Sequence, residues 1–301
     1  MPLLSIFMSH LDHVLEGRNA RLIEIARIAE AAGADQAVFS EHVALAKVIA
    51  GEGEAAIFPF PSDENYPEPM VSLAAIAGAT TRLRLATGIL IAPLRPAILL
   101  AKQVATLDNI SDGRLDLGIG AGWHVPELSA VGIDPEKKLA VMEEILVACR
   151  QLWTGEPASF HGAHVNFDNL MCVPTPLSGA ALPVWLAGPP TAKSADRIAR
   201  MGNGWLPFGN VGPDDLKRGG DHLREAERRH GLPTGSLGIR AELPTHEGAT
   251  LGAKLDSAFT LVPSILAAGV THLQLPIWRY VKRLDDVGPL VETVRQRLDA
   301  L

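Results

Sequence analysis

Thr87-Gly88-Ile89-Leu90-Ile91-Ala92-Pro93-Leu94-Arg95-Pro96 runs through Leu99-Leu100-Ala101-Lys102-Gln103 and Thr106-Leu107-Asp108. It closes on Ser111-Asp112-Gly113-Arg114-Leu115-Asp116-Leu117-Gly118-Ile119-Gly120-Ala121-Gly122-Trp123. Residues 83–90 are almost wholly apolar, as a strand buried on both faces must be. Residues 97–110 have helical spacing, and Ser111-Asp112-Gly113 is turn chemistry. Residues 114–119 form a second apolar strand that ends in Gly120-Ala121-Gly122. The stretch therefore predicts a parallel β-α-β unit whose strands both end in small residues. Backbone is left bare at the carboxyl ends of strands, where such folds bind ligands.

The same alternation extends in both directions. Upstream, 3–8 is a short apolar strand closed by Ser9-His10, and 19–32 is a helix stopped by Gly33. Strand 36–39 ends in Ser40-Glu41-His42. Residues 43–68 lack any period and are rich in Gly and Pro, which marks an excursion on the ligand side. A helix over 69–80 starts on Pro69. Downstream, 135–153 is a long amphipathic helix, and 155–181 is a second excursion with a hairpin at 159–167. Strands at 183–186, 204–206, 237–241 and 271–275 alternate with helices at 192–201, 214–230, 251–268 and 287–298. Eight strands alternating with eight helices predict a (β/α)8 TIM barrel. The insertions follow strand two and the helix after strand four, and residues 1–301 are read as one domain.

Composition narrows the function. The 301 residues are 47% hydrophobic and 20% charged, with a net charge of −7. No basic run points to nucleic acid. Two cysteines, Cys149 and Cys172, are too few for a disulfide framework, and Cys149 falls in a helical pattern as a core residue. No targeting segment opens the chain, and no apolar run approaches the roughly 18 residues of a membrane span. A cytoplasmic protein without membrane or nucleic-acid partners is expected.

Strand ends select the chemistry. In Ala187-Gly188-Pro189-Pro190-Thr191, Gly188 permits close backbone approach and Pro190 suits a first helical turn, whose N–H groups and dipole attract phosphate. The bland alternative is an ordinary strand-to-helix turn. Gly118 to Gly122 is not a dinucleotide fingerprint, because its glycines fall at every second residue. It reads either as a flat surface for a planar ring or as small residues closing the barrel's taper. His42 is a possible proton donor, and Glu41 points to the other face if the strand continues. His10-Leu11-Asp12-His13 lacks the further ligands a metal needs, so none is expected. No G-x-S-x-G elbow is present.

Taken together, these residues resemble the bacterial luciferase-like family of flavin and deazaflavin oxidoreductases over most of the chain. The most specific part is Thr-Gly-Ile-Leu, Ala-Lys-Gln with Thr-Leu-Asp, Ser-Asp-Gly-Arg-Leu and Gly-Ile-Gly-Ala-Gly-Trp; Leu152-Trp153-Thr154-Gly155 and Gly204-Trp205 add to it. The resemblance implies a TIM barrel with cofactor phosphate at Ala187, Gly188 and Thr191. It implies a non-prolyl cis peptide at Gly88-Ile89, in a bulge under the cofactor ring, with Thr87 beside it and Gly120, Ala121, Gly122 and Trp123 near the ring's rim. The Ser-Glu-His and Gly-Ala-Gly-Trp endings look like the deazaflavin (F420) branch, in which His42 lies near the reacting ring edge. Trp123 stands where the glucose-6-phosphate dehydrogenase members carry Glu, which speaks against that activity.

The expected function is F420-dependent hydride transfer to or from a small, fairly apolar organic molecule, with His42 as the catalytic proton donor or acceptor. Phe58, Phe60, Phe208 and Trp278 are expected to wall the substrate pocket. The alternatives are an FMN-dependent monooxygenase served by a separate flavin reductase, a flavin-binding barrel without turnover and, more remotely, a metal hydrolase. The resemblance also implies a homodimer and, as partner, a separate flavin or F420 reductase.

Overall fold

The computed structural model describes residues 1–46, 63–208, 211–245, 248 and 250–301. The strands are β1 (Leu3–Phe7), β2 (Gln36–Phe39), β3 (Arg84–Thr87), β4 (Leu90–Ile91), β5 (Leu115–Gly120), β6 (Ala158–His161), β7 (Asn166–Leu170), β8 (Val184–Gly188), β9 (Gly204–Pro207), β10 (Gly238–Glu242) and β11 (His272–Leu275). All except β6 and β7 form one sheet in the order β3-β2-β1-β11-β10-β9-β8-β5-β4. Every pairing in it is parallel, and β3 also pairs with β5, which closes a barrel of eight strand positions.

The third position is shared by β3 and β4. Residues 83–90 are thus not the continuous strand that their apolar run predicts. Gly88 N–H still donates to Phe39 O (2.7 Å), and the ladder resumes where Leu90 pairs with Ile119 of β5. Between them the Gly88–Ile89 peptide is cis. A Cβ on residue 88 would lie 2.5 Å from Val38 Cγ1, closer than packed carbon atoms can approach, so the bulge requires glycine here.

The helices are α1 (Asp12–Leu15), α2 (Arg21–Ala31), α3 (Pro69–Ala77), α4 (Ala97–Ile110), α5 (Val125–Ala130), α6 (Lys138–Leu152), α7 (Ala192–Met201), α8 (Pro213–His230), α9 (Leu251–Phe259), α10 (Val262–Ala267) and α11 (Val287–Asp299). Side chains at helical spacing face the sheet, as with Leu22, Ile25, Ala26 and Ala29 of α2. Start signals act as written: the Glu68 carboxylate caps α3 at Val71 N–H (2.6 Å), with Pro69 in the first turn. The single helix predicted over 251–268 is split into α9 and α10. Pro263 lies in the first turn of α10 and has no N–H to continue a helix through it. α1 and α5 are too short to show a period, and sequence spacing missed both.

The second insertion carries the predicted hairpin, β6 paired antiparallel with β7. Phe160 stacks on Phe167 at 6.3 Å. The Glu144 carboxylate of α6 accepts the backbone N–H groups of Ala163, His164 and Val165, which pins the hairpin tip. Inside the barrel, Asp116 accepts from Arg84 Nε (2.8 Å), Arg84 Nη2 (2.6 Å) and Gln36 Nε2 (2.6 Å). A separate cluster of Phe7, Val38 and Ala86 fills the interior against Trp278. No helix among the described residues is long and apolar enough to cross a membrane.

Candidate active site

The carboxyl ends of the strands open into a cavity of about 390 Å³. Its wall holds His42, Gly88, Ile89, Gly120, Ala121, Gly122, Trp123, Ala187, Gly188 and Phe208. The structure therefore brings together most of the predicted site. A Cβ on Gly120 would stand 2.6 Å from Ile89 Cδ1 and 3.4 Å from Ala187 Cβ. Bare backbone at residue 120 lets the bulge, β5 and β8 converge on one smooth wall.

Thr87, Thr191 and Trp278 are not among the cavity's lining residues. Thr87 is fully buried beneath the cavity, where its hydroxyl donates to Gly118 O (2.6 Å) and accepts from Gly118 N–H (2.9 Å). It fastens the third strand position to the fourth. Thr191 is exposed at the start of α7, and its hydroxyl accepts from Ser194 N–H (3.2 Å) as a helix cap. Gly188 faces the cavity while Thr191 does not line it. Trp278 packs on His10 (ring centroids 5.6 Å) and lies outside the cavity lining. Phe58 and Phe60 fall outside the described residues.

His42 is held from α5. Its Nδ1 lies 3.1 Å from Glu127 Oε2, and both side chains are buried. Glu127 Oε1 also accepts the backbone N–H groups of Val43 and of Ala44 (3.0 Å). Burial alone would raise the Glu127 carboxyl, but the hydrogen bonds from His42 and these amides outweigh it and hold it below the usual carboxylate range. Nδ1–H therefore donates to a carboxylate, which fixes the tautomer and the ring's orientation. The ring packs edge-on to Trp123 (5.3 Å) and Tyr66 (5.2 Å). Sequence reasoning missed Glu127; Pro126 in the first turn of α5 is the start signal that could have found it.

Glu41 does not turn away from the cavity as alternation predicts. The strand ends at Phe39, so the period of two stops before residue 41. The Glu41 carboxylate is buried, lines the cavity, accepts Ile91 N–H (2.7 Å) and takes Arg95 in a two-point pair (3.0 and 2.5 Å).

A second histidine shares the cavity. His10 Nδ1 lies 3.3 Å from Glu64 Oε1, and its Nε2 lies 3.1 Å from Tyr66 Oη. Burial first, then the charges of His42 and Arg279, lower the His10 pKa to about 3. A neutral ring has one N–H, so Nδ1–H donates to Glu64 and Nε2 accepts from the Tyr66 hydroxyl. Burial also pushes the phenol well above its ordinary value, so Tyr66 keeps its proton. Tyr66 and Glu64 come from the aperiodic excursion, whose spacing carries no signal for either. Past Ile89 and Phe208 the cleft continues into a second lobe of about 670 Å³, between the ends of β9, β10 and β11.

The family profile described as luciferase-like monooxygenase matches residues 1–265. Uncharacterised protein Rv0953c of Mycobacterium tuberculosis is 37% identical over 147 residues, 48% of this chain and 52% of that protein. The FMNH(2)-dependent dimethylsulfone monooxygenase of Pseudomonas fluorescens is 29% identical over 190 residues, 62% of this chain and 47% of that protein. The chain spans about half the length of these curated relatives. Among solved structures, monooxygenase RslO1 from Streptomyces bottropensis shares the fold with a TM-score of 0.75 and 20% identity, covering 98% of both chains. An F420-dependent secondary alcohol dehydrogenase does so with a TM-score of 0.73 and 16% identity, covering 97% of this chain and 96% of that one. With a closed barrel, a broken third strand and a matching profile over most of its length, the chain belongs to the luciferase-like monooxygenase family.

Proposed function

We propose that the protein is an F420-dependent oxidoreductase that moves hydride to or from a small organic molecule in the first lobe of the cleft. The observation that carries this reading is the pairing of His42 with Glu127 beside a smooth backbone wall at Gly88–Ile89 and Gly120–Gly122. A cavity of about 390 Å³ suits a planar ring system, and the missing Cβ at residue 120 supplies the flat cradle such a ring needs. The bound deazaflavin would supply two-electron hydride chemistry.

The rest is the chain's own work. Ile89 and the glycines would hold the ring, and Gly188 with the first turn of α7 would take the phosphate. Thr191 would act there by capping the turn. His42 holds or releases a proton at Nε2 while Nδ1 stays bonded to Glu127. Tyr66, bonded to His10, presents a phenol that stays protonated on the same wall. Trp123 and Phe208 would exclude water from the reacting groups.

A second reading keeps the cavity and changes the cofactor to FMN, with a flavin reductase as partner. The relative named an FMNH(2)-dependent monooxygenase favours it. Fluorescence titration of the purified protein with F420 and with FMN separates the two. Tight binding of F420 with weak or no binding of FMN is the expected result. The reverse would replace the first reading with the second.

A further inference from the structure

The second lobe is lined differently from the first. Arg240, Gln274, Arg279 and Glu242 face it, among apolar Leu261 and Ile265. Arg240 is 3% exposed. Its Nη1 donates to Thr87 O (3.3 Å), whereas Nε and Nη2 meet no hydrogen-bond partner among the described residues. The carboxylate of Asp116, inside the same barrel, is already occupied by Arg84 and Gln36. The guanidinium lies instead over the Trp185 ring, at 5.0 Å from its centroid. Arg279 has the same arrangement at the mouth: exposed, 4.2 Å over the Trp278 ring and in no ion pair with a described carboxylate. A buried cation without a contacting anion is costly, and a low-dielectric wall projects its field into the open space beside it. Glu242 is the single described carboxylate on this wall, so two cations outnumber it.

We propose that the second lobe is a binding site for an acidic group, a carboxylate or phosphate monoester, with Arg279 as its contact and Arg240 supplying the attracting charge from below. Planar guanidinium groups suit such oxyanions because they offer paired N–H donors. The acid has two possible sources. One is the organic substrate, which would then lie across both lobes with its reacting carbon in the first. The other is the phosphate of the cofactor. Because the proposed function assigns that phosphate to the β8 turn, the substrate is the source we favour. The site itself does not depend on which cofactor occupies the first lobe.

The test is a titration of the cofactor-free protein with inorganic phosphate, and separately with acetate, at constant ionic strength, read by tryptophan emission. The tryptophans under the two arginines make the lobe visible to that signal. A saturable change is expected for at least one anion. It weakens about tenfold in Arg279→Gln, the loss of one charge-assisted contact, and is intermediate in Arg279→Lys, which keeps the charge and loses the paired donors. Glu242→Gln should bind the anion at least as tightly as the parent. A response that does not saturate, that is equal in Arg279→Gln, or that weakens in Glu242→Gln would overturn the proposal.

FMN and riboflavin then separate the sources, since they differ by one phosphate. If Arg279→Gln weakens FMN and spares riboflavin, the lobe holds the cofactor's phosphate. If both bind as in the parent protein, the acid belongs to the substrate. Failure of either flavin to bind would bear on the cofactor reading and leave the anion titration to decide the lobe.

Discussion

The two lobes of the cleft treat charge in opposite ways. In the first, each described carboxylate beside the cavity has a partner: Glu41 with Arg95, Glu127 with His42 and two amides, and the half-buried Glu64 with the neutral His10 ring. In the second, Arg240 and Arg279 lie on tryptophan faces without a described carboxylate in contact. Matched groups have spent their interaction energy on the fold and on fixing side-chain geometry. Unmatched ones retain it for a ligand. Perturbing the first set should therefore show in stability or turnover, and perturbing the second in binding.

The largest effect is expected at Glu41. Glu41→Ala removes the two-point partner of Arg95 and the acceptor of Ile91 N–H, leaving Arg95, among the described residues, only the longer contact to Glu68 (3.3 Å). It should lower unfolding free energy by about 3 kcal/mol, read from denaturant titration. A loss within the noise of that method would place this pair among those that add nothing to the fold. Next comes His42→Ala. If this imidazole moves the proton, kcat/KM falls by about 100-fold or more while cofactor affinity stays near that of the parent protein. Unchanged turnover would remove His42 from the chemistry.

The third effect is on pH dependence. The His10 pKa is lowered in the folded protein from 6.5 to about 3, so below 6.5 the unfolded chain takes up a proton that the folded chain refuses. Stability falls as pH falls. The stability lost between pH 6.5 and pH 5 is about 1.6 kcal/mol, the slope approaching about 1.36 kcal/mol per pH unit only below the unfolded pKa. Unfolding curves for His10→Gln across that range should lack this slope; an identical slope in both proteins would assign it to other groups. The smallest effect belongs to the second lobe. Arg279→Gln should change unfolding free energy by no more than about 0.5 kcal/mol, as for other exposed side chains. A large loss would mean that Arg279 serves the fold and would erase the contrast between the lobes.

How far the sequence reaches follows from the same contrast. The barrel was legible because buried parallel strands and amphipathic helices have different periods, and each turn carries its own punctuation. Gly88, Gly120 and His42 were legible because they end strands. Glu127 was not, since the contact to His42 spans 85 residues and begins on a six-residue helix. Tyr66 and Glu64 were hidden in a segment with no period. Thr87 and Thr191, which the resemblance places near the cofactor, have hydroxyls that serve the strand ladder and a helix cap, roles that spacing does not announce. Arg240 had a signal that went unread: a charged residue inside the otherwise apolar run 237–241 must find a partner or face a cavity.

Glu127 has a consequence for anyone recombining parts of such barrels. One oxygen orients the imidazole, and the other receives two amides from the chain directly after it. Ala46 N–H adds a tie to His124 Nε2 (3.0 Å), just before α5. The start of the first insertion and the short helix after the fourth barrel strand are thus a single exchangeable cassette, although some eighty residues separate them in the chain. Grafting either half alone from a relative would deliver a histidine without its holder.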